Sequence, residues 1–357
     1  HFSGALQSGH DHFFDTFGKF GAVSRTHTGD WLAEVVSRAA SQNVEYMEIT
    51  MNLERGRALA LGTQLGWDDN FDRFRQKVDA NGAADIVSAV RKFLDDSEAE
   101  MRTRMHCDQP ASSKQARTDP GCDTTVRYIA EVYRGLPKEQ VFAQMQISFE
   151  LAAADPRVVA VNPVMPEDGF TSMHDFDLHM RMFDFFHKLY PKVHLTLHAG
   201  ELAPALVPPE GLRSHIRESI ERAHAERIGH GVDVMYEDDA FGLLREMREK
   251  NVMVEICLTS NDMILGVRGD RHPLPMYMKF GVPVALATDD EGVARSNITQ
   301  EYQRAVETYG LSYLDLKRFA RNAVEHGFAD DATKSRVRQR LAQDFADFEK
   351  NCCDVKP

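Results

Sequence analysis

The sequence predicts an α/β protein built on parallel strands, one strand short of a (β/α)8 TIM barrel. Three observations carry this. Short apolar, β-rich runs alternate along the chain with longer stretches of helical period. No shift in composition marks a linker, so residues 1–357 read as one domain. His198, His230, Ser260 and Asp289 each stand at or just past the C-terminal end of an apolar run, the end at which barrels of this kind hold their chemistry.

The strand runs fall at 44–51, 101–107, 158–161, 193–198, 227–230, 252–258 and 284–288. Apolar residues three and four apart mark helices at 176–190, 212–225 and 239–250 between them, and at 313–326 after the last. Strand, helix, strand repeated along one chain makes the strands parallel and covers them with helices. A closing amphipathic helix at about 332–350 places Val337, Leu341, Phe345 and Phe348 on one side. Residues 109–118 form a polar loop.

Composition narrows the function. With 43% hydrophobic and 27% charged residues the chain has the make-up of a soluble globular protein with a sizeable core. No run of eighteen apolar residues is present to span a bilayer. A net charge of −13 argues against nucleic acid, whose binding rests on Lys and Arg, and favours a small-molecule ligand. The five cysteines follow no zinc-finger spacing and are too few for a disulfide scaffold. Cys107 and Cys122 flank the polar loop and could pair in an oxidising compartment, free thiols being the preferred reading. The chain starts at a histidine with neither a basic nor an apolar leader region after it, so either a leader has been removed or the sequence begins partway through a longer protein. The residues assign neither compartment nor oligomeric state.

Three stretches carry chemistry. In VHLTLHAGE (193–201) an apolar strand ends at His198 and a tight turn leads to Glu201. A neutral imidazole is a zinc ligand, and a nearby carboxylate can exchange protons with bound water or a substrate nitrogen. The alternative is a core histidine with an exposed glutamate. In RIGHGVD (227–233) His230 sits between two glycines and could orient or deprotonate a water, or serve only a loop hydrogen bond. In VALATDDEG (284–292) Asp289 and Asp290 follow a strand directly. Such acids are costly there unless paired with a cation or donors, Asp289 as a metal ligand and Asp290 as a substrate contact; a helix N-cap is the alternative.

Together LHAGE, RIGHG, EICLTSN (255–261) and HPLPMYMKFGVPVALATDDEG (272–292) resemble the adenosine deaminase family of the amidohydrolase superfamily, in the same order and at similar spacing from about residue 43 to residue 329. The resemblance implies a (β/α)8 barrel with one zinc ion per subunit, in which zinc-activated water attacks C6 of adenine and ammonia leaves. It implies that His198 and Asp289 are zinc ligands, that Glu201 protonates ring N1, that His230 positions the water and that Asp290 bonds N7. The expected substrate is a 6-aminopurine nucleoside, adenosine going to inosine. Adenine or a modified adenine nucleoside or nucleotide is the alternative substrate, and a non-catalytic nucleoside-binding barrel the alternative class; Glu201, His230 and Asp290 together speak against the latter.

Two departures stand out. The family's other two zinc ligands are a His-x-His pair ending its first strand. His10 and His12 have the wrong surroundings for it, because Gly9 precedes them and Phe13, Phe14, Phe17 and Phe20 follow on one helical face. We read SGHDHFFDTF as a helix capped by Ser8, resembling the family's phenylalanine-bearing helix beside the pocket. HFSGAL (1–6) instead resembles the second histidine of the pair with the residues after it, which places the first strand at or upstream of the start. The second departure is VVAVNPVMPED (158–168), where Met165 or Pro166 stands in place of a purine-edge glycine. Here the chain looks more like the branch akin to adenosine deaminase growth factors, whose members often carry export signals.

Overall fold

The computed structural model describes residues 7–24, 26–108 and 119–352. The pattern at His1 and the polar loop at 109–118 lie outside the described residues. Strands β1 (Tyr46–Met51), β2 (Thr125–Tyr133), β3 (Val158–Val164), β4 (His194–Ala199), β5 (Arg227–His230), β6 (Met253–Ile256) and β7 (Val284–Leu286) form one parallel sheet in chain order. Each parallel step needs a crossover, and helices such as Lys138–Ala154, Phe176–Leu189 and Ala240–Glu249 supply them. The main apolar core lies between these helices and the sheet, from Ala58 to Phe319.

Side chains from distant strands meet because the sheet curls. Arg227 of β5 pairs with Glu48 of β1 at 2.6 Å and with Glu255 of β6 at 2.7 Å. Thr196 of β4 donates to the same Glu255 at 2.7 Å. Phe328 covers this N-terminal end, stacked on His194 with the Arg227 guanidinium 4.0 Å from its ring. A buried arginine between two carboxylates is tolerable only with both partners in place, so this polar layer ties β1, β5 and β6 into one register.

Six of the expected strand runs are strands. The exception is 101–107, which continues the helix Ala83–Arg104 and the turn after it. MRTRMHC alternates with period two like a strand, but its Met101 extends the helical stripe of Val90, Leu94 and Ser97. The strand in its place, TVRYIAEVY, carries Arg127 and Glu131 within the run, which hid its period. The expected helix at 212–225 is shorter, a turn of 3-10 helix at Pro209–Leu212 preceding His215–Glu221. The closing helix is Asp331–Cys352. Cys107 and Cys122 are joined in a disulfide, which overturns the free-thiol reading: the helix end and the turn Pro120–Asp123 bring their Cα atoms to 5.5 Å.

Helix α1 (Gly9–Ser24) begins as the opening stretch suggested, with the Asp11 N–H donating to Ser8 Oγ at 2.9 Å. Its Phe13 is buried against Ile264 and Ala294, and Gly9 packs so tightly on the Met263 carbonyl that no side chain fits. On its other side His10 Nε2 lies 3.0 Å from Asp168, just after β3. The helix thus crosses from the loops after β6 and β7 to the loop after β3, on the C-terminal side of the sheet.

Candidate active site

The C-terminal strand ends bring three of the expected residues together. His198 and Ala199 of β4 lie in register with Gly229 and His230 of β5, and the two imidazole rings are 4.9 Å apart. Asp289, three residues past β7, and the buried Cys257, just past β6, each bring a ligand atom within 4.8 Å of one on His230. The backbone is held in the left-handed region at His230 (φ 69°), Asp289 (φ 54°) and Met165 (φ 83°). Each such conformation costs on the order of 1 kcal/mol or more outside glycine; these three are among eleven described non-glycine residues that adopt it.

Asn162 of β3 settles the state of His198. Its Oδ1 accepts the His198 backbone N–H at 3.1 Å, so it presents oxygen, and the same oxygen lies 2.9 Å from His198 Nδ1. Nδ1 therefore carries the proton and Nε2 keeps its lone pair. Burial, with help from His230 and Arg134, holds the His198 pKa well below the ordinary value, so the ring is neutral. A neutral imidazole fixed through its other nitrogen is the form that binds a metal ion.

Glu201 is placed by its backbone. Glu167 accepts the N–H of Gly200 at 3.1 Å and of Glu201 at 2.7 Å, and its Oε1 lies 2.7 Å from His215 Nδ1. Gly200 has φ 74°, and a Cβ there would fall 2.5 Å from Asp233 Oδ1, so the turn admits only glycine. Burial raises the Glu167 pKa, but Arg134, His215 and the backbone donors outweigh it and keep the carboxylate charged. Arg134 in turn donates to the carbonyls of His198 at 2.9 Å and Met165 at 3.2 Å, linking the ends of β2, β3 and β4.

The acid groups have shifted. Burial pushes Glu201 up to about 7, with Asp289 and Glu167 adding to the rise and His230 opposing it. Its Oε1 is 3.4 Å from His230 Nδ1 and has no hydrogen-bond partner among the described residues. Burial and the neighbouring Asp289 push Asp290 well above the usual carboxylate range. Glu131 of β2, also pushed up to about 7 by burial, is close enough to raise Asp290 further.

The donor set fits a divalent cation. His198 offers a free Nε2 and Asp289 a carboxylate, both ordinary zinc ligands. Cys257 adds a buried thiol to the same cluster, its pKa pushed up by burial. His10 and His12 belong to α1 instead: His10 bonds Asp11 and Asp168, and His12 Nδ1 lies 3.4 Å from Gln7 Oε1.

Sequence reasoning missed Glu131, Arg134, Asn162 and Glu167. Asn162 left a signal, a lone amide inside the apolar run VVAVNPV, where an unpaired polar group is costly. The partners of Arg134 and Glu167 are remote in the chain.

Seven parallel strands bearing this cluster at their C-terminal ends define the chain as an α/β protein with a candidate metal site at one end of its sheet. The family model described as adenosine deaminase matches residues 8–344, and the chain belongs to that family. Among relatives, an adenosine deaminase of Clostridium perfringens is 32% identical over 145 residues, 40% of either chain. The chain thus spans about 40% of the length of that curated relative. Among solved structures, ADAL of Arabidopsis complexed with IMP superposes with TM-score 0.62 at 20% identity, covering 94% of this chain and 84% of that one. A Burkholderia ambifaria amidohydrolase with bound Zn gives TM-score 0.63 at 17% identity, over 90% and 74%. Both share the fold.

Proposed function

We propose that the chain is the catalytic domain of a zinc-dependent purine deaminase that converts adenosine and water to inosine and ammonia. The observation that carries this reading is Glu201, a buried acid with an unbonded oxygen beside His230, held by Glu167 on a turn three residues past His198. In this reading an eighth strand between β7 and β1 closes the (β/α)8 barrel. The Burkholderia structure with bound zinc and the Arabidopsis structure with bound IMP support the metal and the ligand class.

His198 through Nε2 and Asp289 through its carboxylate would hold one zinc ion per subunit, which when bound supplies a nucleophilic water at neutral pH. Glu201 delivers its proton to N1 of the purine, so that the ring does not accumulate negative charge as C6 gains oxygen. His230 orients the attacking water. Asp290, its pKa pushed up by burial and by Asp289, bonds N7. Arg134 and Glu167 hold the turn that aims Glu201, and α1 shields the site from bulk water with His10 anchored to Asp168.

A second reading, deamination of a close analogue, draws on Met165. It adopts φ 83°, and its thioether packs against Gly135, so a bulky side chain occupies a position suited to glycine. The test is ammonia release from adenosine, adenine and N6-modified adenosines by the zinc-loaded protein. Glu201→Gln keeps the shape and removes the titrating proton, so turnover should fall by about two to four orders of magnitude with zinc retained. Unchanged turnover would overturn the assignment.

A further inference from the structure

Asn261 and His272 have no role in the reading above, yet both are buried and lie behind His230. Their hydrogen bonds form a chain whose direction is set at one end. The backbone N–H of Leu274 can only donate, and it donates to His272 Nδ1 at 3.1 Å. A neutral imidazole that accepts at Nδ1 carries its proton on Nε2, and His272 Nε2 lies 3.1 Å from Asn261 Oδ1. The amide is thereby oriented with Nδ2 toward His230 Nδ1, at 2.9 Å. His230 must accept there, so its own proton stays on Nε2.

We infer that Asn261 and His272 are positioning residues that hold His230 in the Nε2–H tautomer, so that it meets the reacting oxygen as a hydrogen-bond donor. Asn162 holds the adjacent His198 in the opposite tautomer. Two histidines with rings 4.9 Å apart are thus divided between tasks by the amides behind them: His198 presents a lone pair, His230 a proton. With Nδ1 occupied by Asn261 and Nε2 protonated, His230 is neither the base that deprotonates water nor a ligand in a trio with Cys257 and Asp289. Burial supports the same picture at the far end, holding His272 down to about 3 and hence neutral. The alternative tautomer of His230 would set an N–H against the Asn261 NH2 group and break a buried hydrogen bond, with only Glu201 Oε1, 3.4 Å from Nδ1, left to accept it.

The tautomer can be read without turnover. Long-range proton–nitrogen NMR on protein labelled with 15N-histidine separates Nδ1–H, Nε2–H and imidazolium rings, with His230 assigned by the signal lost in His230→Gln. The parent protein should show His230 as Nε2–H and His198 as Nδ1–H. Asn261→Asp exchanges a donor for an acceptor at nearly constant shape and should move His230 to Nδ1–H or imidazolium, with kcat for adenosine falling about 10- to 100-fold and KM changing less than about threefold. An Nδ1–H ring in the parent, or an unchanged His230 in Asn261→Asp, would overturn the inference; the parent spectrum decides even if the variant fails to fold. Only the clause on the reacting oxygen rests on the deaminase reading. A chain inactive on every aminopurine that still switches tautomer would sink that reading and leave the relay standing.

Discussion

At the residue scale the site depends on which atom of each side chain is free, and that is set by partners on other strands. Asn162 illustrates this: one amide oxygen accepts two N–H groups of His198 and leaves Nε2 available. Asn162→Leu removes the acceptor and lets the ring rotate or change tautomer. Zinc affinity should drop about 10- to 100-fold by chelator competition, as is usual when a partner behind a metal-binding histidine is lost. Asn162→Asp restores an acceptor and should recover most of the loss. Equal zinc affinity in Asn162→Leu would mean that His198 is not a ligand.

Helix α1 shows how far a local pattern reaches. Four phenylalanines at helical spacing and a serine before the first turn sufficed to read a helix where two histidines suggested a metal site. What holds the helix in place was not visible, because Asp168 lies 158 residues from His10. The Asp168 hydrogen bond and, less strongly, Asp11 raise the His10 pKa to about 9 against the opposing effect of burial. A histidine raised in the folded state stabilises fully below its unfolded value of 6.5, and the contribution disappears as pH rises through about 9. Proteolytic cleavage within α1 should therefore accelerate as the pH is raised from neutral to about 10. In His10→Ala the same cleavage should be fast at every pH and nearly flat, with a cost of roughly 1 kcal/mol at neutral pH. A steep pH dependence surviving in His10→Ala would assign the effect elsewhere.

Across the whole molecule, two distant ties complement the core. One is the Glu48–Arg227–Glu255 layer under the curled sheet. The other is the Cys107–Cys122 disulfide, which joins the end of a long helix to the turn before β2 over a separation of 15 residues. A loop of that size is associated with about 3 kcal/mol of stabilisation when closed, on the chain-entropy account. Reduction with dithiothreitol should lower the urea midpoint by up to that equivalent without changing the sheet signal in far-UV circular dichroism. A midpoint indifferent to reductant, with thiols verified as free, would show that the bridge does not restrain the unfolded chain.

The amino-acid sequence by itself determined the alternation of strand and helix, six of the seven strands, helix α1, and the polar residues at strand ends. Each of these is written in a few consecutive residues, through hydrophobic period and the restricted backbone of turns. The second strand was not legible, because Arg127 and Glu131 break its apolar run while MRTRMHC imitates one on a helix. Nor were the disulfide, the Glu167 carboxylate under the Gly200–Glu201 turn, or the opposite tautomers of His198 and His230. All of these depend on pairs of groups 11 to 36 residues apart, such as Asn261 with His272 or His198 with Asn162. Hydrogen-bond direction and desolvation are properties of a neighbourhood, and only the folded chain decides which groups are neighbours.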